Sequence, residues 1–295
     1  MSNLRSMVFM IMGMATFAGA DAMIKLSSSD TTTGLIMITM GLAGGSVFLA
    51  LCVASGTAVL SRLFFHPVIL LRNLFEITAA FFLFQAFALN ELSTVAAILQ
   101  AIPLILTILA AAFLKEQVGP RRWTAVAIGL LGVLIIIRPT SAGIGWTDLL
   151  AVLGTLFLAL RDLASRLAPP EASTPLLSVY AFILLVPTGA ILNVTQGGAW
   201  QIERASWGPL SLMVVLSVTG YYCVTTAMRI GDVSAVSPLR YFRLPCAAIL
   251  AYFLFLEVPD WQTILGATLV VGSGLFVMLR EAQISNPKNE RPNEA

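Results

Sequence analysis

The stretch Leu92–Glu116 begins LSTVAA and ends FLKE, and its pattern returns in Val233–Glu257, which begins VSAVSP and ends LFLE. Each copy is an apolar segment that closes on a glutamate. After each copy comes another apolar segment that contains glycine and ends in arginine, at 129–138 and at 266–280. The chain is therefore predicted to consist of two related halves.

The composition is that of a protein in a lipid environment. Of the 295 residues, 58% are hydrophobic and 11% are charged, and the mean hydropathy is +0.90. A soluble domain carries roughly 25% charged residues, so this chain has too few charges for a surface that faces water. A bilayer core of ~30 Å is crossed by ~20 apolar residues in a helix. The composition predicts an all-α membrane protein that crosses the bilayer many times.

Ten apolar segments have the length of a membrane-spanning helix. Short connections that carry glycine, proline or aspartate separate them, and none is long enough to form a soluble domain. The predicted helices are 7–26, 33–55, 68–89, 93–114, 121–138, 146–166, 174–194, 207–228, 234–256 and 260–280.

The N-terminal segment allows two interpretations. Arg5, the apolar run 7–17 and the sequence Ala18-Gly19-Ala20 are typical of a secretory signal and its cleavage site. The alternative is a first spanning helix that continues through Leu26. We favour the spanning helix, because its removal would leave nine helices and take one member from the repeat.

Lysine and arginine are distributed unevenly between the two sides of the predicted helices. With a cytoplasmic N-terminus, the outside segments hold only Lys25, Arg138 and Arg204. The inside segments hold a larger set: Arg5, Arg62, Lys115, Arg121, Arg122, Arg161, Arg166, Arg229, Arg280, Lys288 and Arg291. Because positive charge accumulates on the cytoplasmic side, both termini are predicted to be cytoplasmic.

The predicted units are a first repeat at 7–140, a second repeat at 146–281 and a polar tail at 286–295 that is expected to be disordered. Each repeat holds five helices. Because five is odd, the two repeats insert with opposite topology. Inverted repeats of this kind place a substrate site near the membrane midplane, between the halves.

The two helices that end in glutamate, each followed by a glycine-containing helix, resemble the drug/metabolite transporter superfamily, and specifically its EamA-type branch of ten helices. The resemblance extends over about residues 7–281. It implies a bundle of two inverted five-helix repeats with alternating access by rocking of the halves. It also implies a central cavity lined mainly by the first, third, fourth, sixth, eighth and ninth helices.

Two further stretches, Arg161–Arg166 and Ser237–Leu244, look like a bacterial sub-branch that includes carriers of riboflavin and of adenosylated metabolites. The resemblance implies a secondary transporter of the inner membrane, with riboflavin-like vitamin uptake as the leading function. Export of amino acids or other metabolites remains an alternative. An alternative of another class is a membrane enzyme or flippase that acts on lipid-linked substrates.

Four charged residues are predicted to lie within the bilayer, where each costs ~3 kcal/mol and is a candidate for function. Arg72 and Glu76 share a face of the third helix, and Arg240 and Arg243 share a face of the ninth. Because these four residues are expected to lie at similar depth in the membrane, they predict a basic patch that suits an anionic or carboxylate-bearing solute. The alternative is a pair between Glu76 and an arginine that holds the halves together, with Arg72 reaching the cytoplasmic interface.

Neutral polar and aromatic residues complete the candidate site. Gln85 and Gln100, on the third and fourth helices, either contact the substrate or join helices by hydrogen bonds. Tyr221, Tyr222 and Tyr241 offer rings for stacking on a planar substrate such as a flavin or a purine.

Two sets of charged residues near helix ends are candidates for gates or for the coupling of transport to protons. Asp21 and Lys25, four residues apart at the outer end of the first helix, predict a local ion pair, an outer gate or a titrating Asp21. Arg161, Asp162 and Arg166, at the inner end of the sixth helix, predict an inner gate or a positive anchor.

The residues that end the repeated motif have a predicted structural role. Glu116 and Glu257 are expected to cap the N-termini of the helices that follow them, where the helix dipole favours negative charge. Pro103 and Pro245 occupy near-equivalent positions in the two halves, and they are predicted hinges.

The sequence contains no Walker loop and no cluster of histidine, cysteine and carboxylate for a metal. Its one histidine, His66, lies in a predicted loop, so no pair of nucleophile and base is indicated. We expect no enzyme activity, no cofactor and no nucleic-acid partner. The expected partners are a small-molecule metabolite and the lipid bilayer, and the oligomeric state stays open.

Overall fold

The computed structural model describes residues 2–59, 61–116, 118–138, 145–169, 171–230 and 236–284. Within these residues the chain forms α-helices and short 3-10 turns, and it forms no strand. The predicted tail 286–295 lies outside the described residues, as does the start of the predicted ninth helix at 234–235.

Eleven α-helices are assigned along the described chain. They are α1 Ser2–Ser27, α2 Thr33–Ala54, α3 Pro67–Leu89, α4 Leu92–Leu99, α5 Ile102–Phe113, α6 Pro120–Ile137, α7 Trp146–Arg166, α8 Thr174–Thr195, α9 Trp207–Ile230, α10 Arg243–Phe255 and α11 Trp261–Ile284. The 3-10 turns are Arg62–Phe65, Arg204–Ser206 and Ser237–Phe242.

Eight of the described segments are long and apolar enough to cross a membrane, with α4 and α5 taken together as one. The two remaining segments are α7, which carries four charged side chains along 21 residues, and α10, which has 13 residues and continues a 3-10 turn. Large apolar side chains such as Leu42, Val53 and Phe253 stay exposed on the bundle surface, as lipid contact requires. Ten spans therefore remain a prediction.

The helix predicted at 93–114 is divided in the structure, which corrects its expected continuity. α4 ends at Leu99, and α5 begins at Ile102 with Pro103 in its first turn. Proline has no backbone N–H, so Pro103 cannot donate to the carbonyl of Leu99 four residues earlier, and the helix breaks. The equivalent segment of the second half is also divided. It consists of the 3-10 turn Ser237–Phe242 followed by α10, and Pro245 lies in the first turn of α10.

Helices of the first half pack in pairs against helices of the second half. The pairs are α1 with α9, α2 with α8, α3 with α7, and α6 with α11. Close approach depends on glycine in two of them: a β-carbon at Gly34 would lie 2.6 Å from the carbonyl oxygen of Gly189, and one at Gly132 would lie 2.7 Å from that of Gly266. α1, predicted as a spanning helix and not a cleaved signal, is an integral part of this packing.

The short helix α4 lies at the centre of the bundle. Seven of its eight side chains are buried, and it contacts α1, α3, α6, α7, α10 and α11. Gln100 follows directly at its end, and it is also buried. The break between α4 and α5 therefore places a polar side chain where the two halves meet.

The repeat also extends to backbone conformation. Ile108-Leu109-Ala110 of the first half recurs as Ile249-Leu250-Ala251, 141 positions later. At the same spacing, Lys115 and Leu256 both adopt the left-handed conformation, with φ of 55° and 56°. That conformation costs a residue with a β-carbon about 1–2 kcal/mol, so its presence in both halves marks the same turn, each time just before the glutamate of the motif.

Candidate substrate site between the two halves

A doubly hydrogen-bonded ion pair joins the first half to the second. Arg243, the first residue of α10, donates from Nε to Oδ2 of Asp21 over 2.9 Å and from Nη2 to Oδ1 over 2.8 Å. The guanidinium also lies 5.6 Å from the ring centroid of Phe17. The Asp21 side chain is 7% exposed. Because a buried charge is tolerated only when it is paired, each of these residues depends on the other.

The local ion pair considered for Asp21 and Lys25 does not form. Asp21 binds Arg243, whereas Lys25 binds Glu257 at the C-terminal end of α10. Asp21 and Lys25 lie one helical turn apart on α1, and their partners flank α10, with Arg243 at its first residue and Glu257 two residues after its end. The spacing of charges within α1 could not show this, because the partners are more than 200 residues away in sequence.

Gln100 forms a second bond between the halves. Its Nε2 donates to the carbonyl oxygen of Tyr241 over 3.1 Å. In a regular helix the backbone N–H of residue 245 would donate to this carbonyl, but Pro245 has no backbone N–H. Gln100 therefore supplies the bond that the proline removes, and the structure shows it joining helices.

A second charged cluster lies between α3, α7 and α8. Glu76 pairs with Arg72 over 2.6 Å and with Arg161 over 3.4 Å, and Nε of Arg161 lies 3.1 Å from Oδ1 of Asp162. Arg72 also donates to the carbonyl oxygen of Leu177 over 3.1 Å. Arg72 is buried, and its partners are Glu76 and the Leu177 carbonyl. The pairing of Glu76 with Arg161 joins the two halves, as in the alternative in which an ion pair of Glu76 holds them together.

The predicted basic patch is divided in the structure. Arg243 belongs to the pair with Asp21, Arg72 belongs to the cluster on α3, and Arg240 is exposed on the 3-10 turn with no ion pair to a described residue. The reason is that 237–242 is not α-helical, so Arg240 and Arg243 do not share a face of one helix. Each of the two buried clusters contains as many carboxylates as arginines.

The tyrosines and Gln85 are dispersed. Tyr221 packs its ring edge against Phe48, with centroids 4.6 Å apart, and Tyr222 is 63% exposed on the bundle surface. Tyr241 is buried against α11. Gln85 donates to the carbonyl oxygen of Phe81 in its own helix over 3.4 Å. The four side chains do not form a common stacking surface in this conformation.

Lys25 and Glu257 close one end of the bundle, here called the Lys25 end. Lys25 also donates to the carbonyl oxygen of Asn90 over 2.6 Å, and Glu257 accepts the backbone N–H of Leu92 over 2.8 Å. The Lys25 ammonium lies 5.1 Å from the ring centroid of Phe255. These contacts tie α1, α4 and α10 together at the point where the chain enters α4.

The expected capping role of the two motif glutamates is wrong. Glu257 accepts from the first residue of α4 and not from α11, whose N-terminus is capped by Asp260, the acceptor of the Thr263 N–H over 3.0 Å. Glu116 is exposed, and α6 begins without a side-chain cap. Asp260 lies directly before α11 and so reaches its free N–H groups, whereas Glu257 forms an ion pair with Lys25.

Asp260 has a strongly perturbed carboxyl group at the Lys25 end. The hydrogen bond from Thr263 and the ion pair with Arg138 lower its pKa from 3.8 to about 2. Nearby, a polar cavity of about 300 Å³ is lined in part by Asn90, Arg138 and Asp148. None of the predicted substrate residues lines it.

Equivalent positions in the two halves reveal relations that local charge spacing did not predict. At the spacing of 141 residues, Asp21 corresponds to Asp162 and Lys25 corresponds to Arg166. Each half thus carries an acid on its first helix, and in each case that acid is next to an arginine: Arg243 for Asp21 and Arg161 for Asp162. An alignment of the two halves identifies the equivalence of Asp21 and Asp162. It does not identify their partners, because Arg243 corresponds to Ile102 and Arg161 to Ala20.

The comparisons with known proteins agree with this architecture. A model of the EamA-like transporter family matches residues 4–138 and again residues 145–279. A solved crystal structure covers 96% of this chain and 100% of its own chain, with a TM-score of 0.63 and 17% sequence identity. At that identity, the likeness shows the fold alone.

Curated relatives carry transporter names. A riboflavin transporter of Rhizobium johnstonii is 31% identical over 185 residues, which cover 63% of this chain and 61% of the relative. An S-adenosylmethionine uptake transporter of Rickettsia prowazekii is 28% identical over 193 residues, which cover 64% of each. The alignments thus span less than two thirds of these relatives. With the family model matching both halves, the chain belongs to the EamA-like transporter family and is a multi-pass protein of the inner membrane.

Proposed function

We propose that this chain is a secondary carrier that takes up a small metabolite by alternating access through the interface between its halves. The observation that carries the proposal is the Asp21–Arg243 pair, which places two charges inside a bundle of apolar helices. A charged pair at such a position is a candidate for function, because an apolar pair would be less costly in a membrane.

The proposal includes ten spans, two inverted repeats at 7–140 and 146–281, and cytoplasmic termini. The eight segments of sufficient hydropathy, together with α7 and the unit formed by Ser237–Phe242 and α10, make ten crossings. Trp146, Trp207 and Trp261 begin α7, α9 and α11 and are exposed, as expected of anchors at a membrane surface. In this topology all three lie on the outside.

Charge balance bears on the class of substrate. The cluster of Asp21 and Arg243 sums to zero, and so do Arg72 and Arg161 with Glu76 and Asp162. A site without excess positive charge favours a neutral or zwitterionic solute over an anion. Riboflavin, which is uncharged near neutral pH, is the first candidate.

The second candidate is an adenosylated amino acid. Such a solute carries a carboxylate and an ammonium group, which match Arg243 and Asp21 in charge. The sulfonium of S-adenosylmethionine adds a positive charge, so this candidate is a net cation and fits the charge balance less well than riboflavin does. A relative of comparable similarity is named for S-adenosylmethionine uptake. Measurements of uptake, and not the geometry of the site, distinguish the two candidates.

The test is uptake of radiolabelled riboflavin and, in parallel, radiolabelled S-adenosylmethionine into bacteria that lack their own importer for each. We expect accumulation of one of them above the vector control, and we expect Arg243→Ala to abolish it at normal membrane abundance. Arg204→Ala, which removes an exposed arginine near the start of α9, is the matched control and keeps full uptake. Full uptake by Arg243→Ala would overturn the site, and no uptake of either compound would overturn the proposed substrates.

A further inference from the structure

The two halves carry the same pair of charges at opposite ends of the bundle. Lys25 of α1 corresponds to Arg166 of α7, and Glu257 after α10 corresponds to Glu116 after α5, each at a spacing of 141 residues. Both glutamates follow a left-handed residue, and the N–H of each donates to an equivalent carbonyl, Glu116 over 3.3 Å and Glu257 over 3.1 Å. The local structure around the two glutamates is therefore the same.

The two ends differ in one respect. At the Lys25 end the ammonium and the carboxylate are in contact, and both side chains are largely buried. At the opposite end, here called the Glu116 end, Glu116 and Arg166 are both exposed. Neither of their side chains forms a hydrogen bond or an ion pair with any residue that the structure describes.

The helices that carry the unpaired charges are already neighbours. Leu163 of α7 packs in one apolar cluster with Leu109 and Leu114, which lie on and just after α5. Arg166 follows Leu163 by three residues, so it lies one helical turn further toward the Glu116 end. Leu114 corresponds to Phe255, the residue beneath Lys25 in the closed pair.

We propose that Lys25–Glu257 and Arg166–Glu116 are a matched pair of gates that close alternately, and that the structure shows the conformation in which only the first is closed. The inference rests on the alternating-access carrier proposed above. With cytoplasmic termini, the closed pair seals the outside and the open pair leaves the inside accessible. In the opposite conformation Arg166 binds Glu116, and Lys25 separates from Glu257.

The exchange keeps the number of ion pairs constant. Inverted repeats can interchange their conformations, so that each half adopts the arrangement that the other had. One ion pair is lost and an equivalent one is gained. Two conformations that differ in this way lie close in free energy, as a carrier that cycles between them requires.

The test uses cysteine pairs in a background in which Cys52, Cys223 and Cys246 are replaced by alanine. In Glu116→Cys/Arg166→Cys, oxidation forms a disulfide only when the Glu116 end closes, and the disulfide is scored in native membranes as loss of labelling by polyethylene-glycol maleimide. Adding Glu257→Gln breaks the gate at the Lys25 end. We expect the yield of the disulfide to rise by about fivefold, the shift that loss of one ion pair supports.

Glu91→Gln is the matched control, because Glu91 is an exposed carboxylate at the Lys25 end without an ion pair to a described residue. It leaves the disulfide yield unchanged, and variants with only one of the two cysteines keep full labelling. A disulfide yield that Glu257→Gln does not raise would overturn the coupling of the gates. Absence of any disulfide in both backgrounds would overturn the Arg166–Glu116 gate itself.

A charge exchange tests the gate without cysteines. Glu116→Arg and Arg166→Glu each place like charges together and are expected to slow uptake, whereas the double variant regains it. Cross-linking needs no substrate, so a negative result in the uptake experiment leaves the disulfide result intact. Cross-linking that fails while uptake succeeds would remove the gates and keep the carrier.

Discussion

At the residue scale, Asp21 and Arg243 depend on each other because Asp21 is buried and each satisfies the other's hydrogen-bonding groups. Removal of one partner leaves an uncompensated charge, whereas removal of both leaves two neutral groups. The second change is therefore less damaging to stability than the first.

Asp21→Asn is expected to destabilise the protein by about 3 kcal/mol, because Arg243 stays charged without its partner. Asp21→Asn/Arg243→Gln is expected to regain more than half of that loss. Thermal unfolding in detergent measures both variants. Equal stability of Asp21→Asn and the wild-type protein would show that Arg243 finds another partner.

Asp260 gives a prediction about pH at the same scale. Its folded pKa of about 2 lies below the ordinary value of 3.8. The stabilisation is therefore fully present above pH 3.8, and it is lost as the pH falls toward 2. Asp260→Asn should lower the Tm by the same amount at neutral pH and at pH 5, and the difference from wild type should shrink below pH 3.8. A difference that is constant down to pH 2 would contradict the cap.

At the element scale, the broken helices depend on a bond between the halves. The Tyr241 carbonyl has no donor at residue 245, because Pro245 lacks an N–H, and it accepts from Gln100 and from the N–H of Arg243. We expect Gln100→Leu to destabilise the protein by about 1 kcal/mol, the net contribution of one hydrogen bond.

The control is Gln100→Leu/Pro245→Ala, in which the backbone N–H of residue 245 becomes available to the carbonyl. Thermal unfolding should show that this second change restores stability. If Pro245→Ala restores nothing in the Gln100→Leu background, the glutamine has another role at the centre of the bundle.

Helices were predictable where they depend on local pattern, and their breaks were not. The helix predicted at 174–194 is observed as Thr174–Thr195, because a mainly apolar run sets its length, and the helix continues through Pro187. Proline at 103 and 245 indicated hinges, yet the 3-10 turn before α10 and the donor for Tyr241 depend on residues of other helices. The partners of charged residues were unpredictable for the same reason. The spacing of Asp21 and Lys25 favoured a pair between them, but Asp21 binds Arg243 at the start of α10 and Lys25 binds Glu257 after its end.

At the scale of the whole molecule, topology is the prediction to test. Alkaline phosphatase fused after Gly197, at the end of α8, should be active because that segment is placed outside. Green fluorescent protein fused after Ala295 should be fluorescent because the C-terminus is placed in the cytoplasm. The reverse result for both fusions would invert the orientation, and a mismatch between them would change the number of spans.

The balance of carboxylates and arginines in the buried clusters has an electrical consequence. A membrane voltage performs work of ~2.3 kcal/mol per elementary charge per 100 mV on charge that crosses it. Where arginine and carboxylate move together, the displacements cancel, and the empty protein changes conformation without driving current. Any voltage dependence of transport then comes from the cargo: none for an uncharged vitamin, and accumulation toward the negative cytoplasm for a cation.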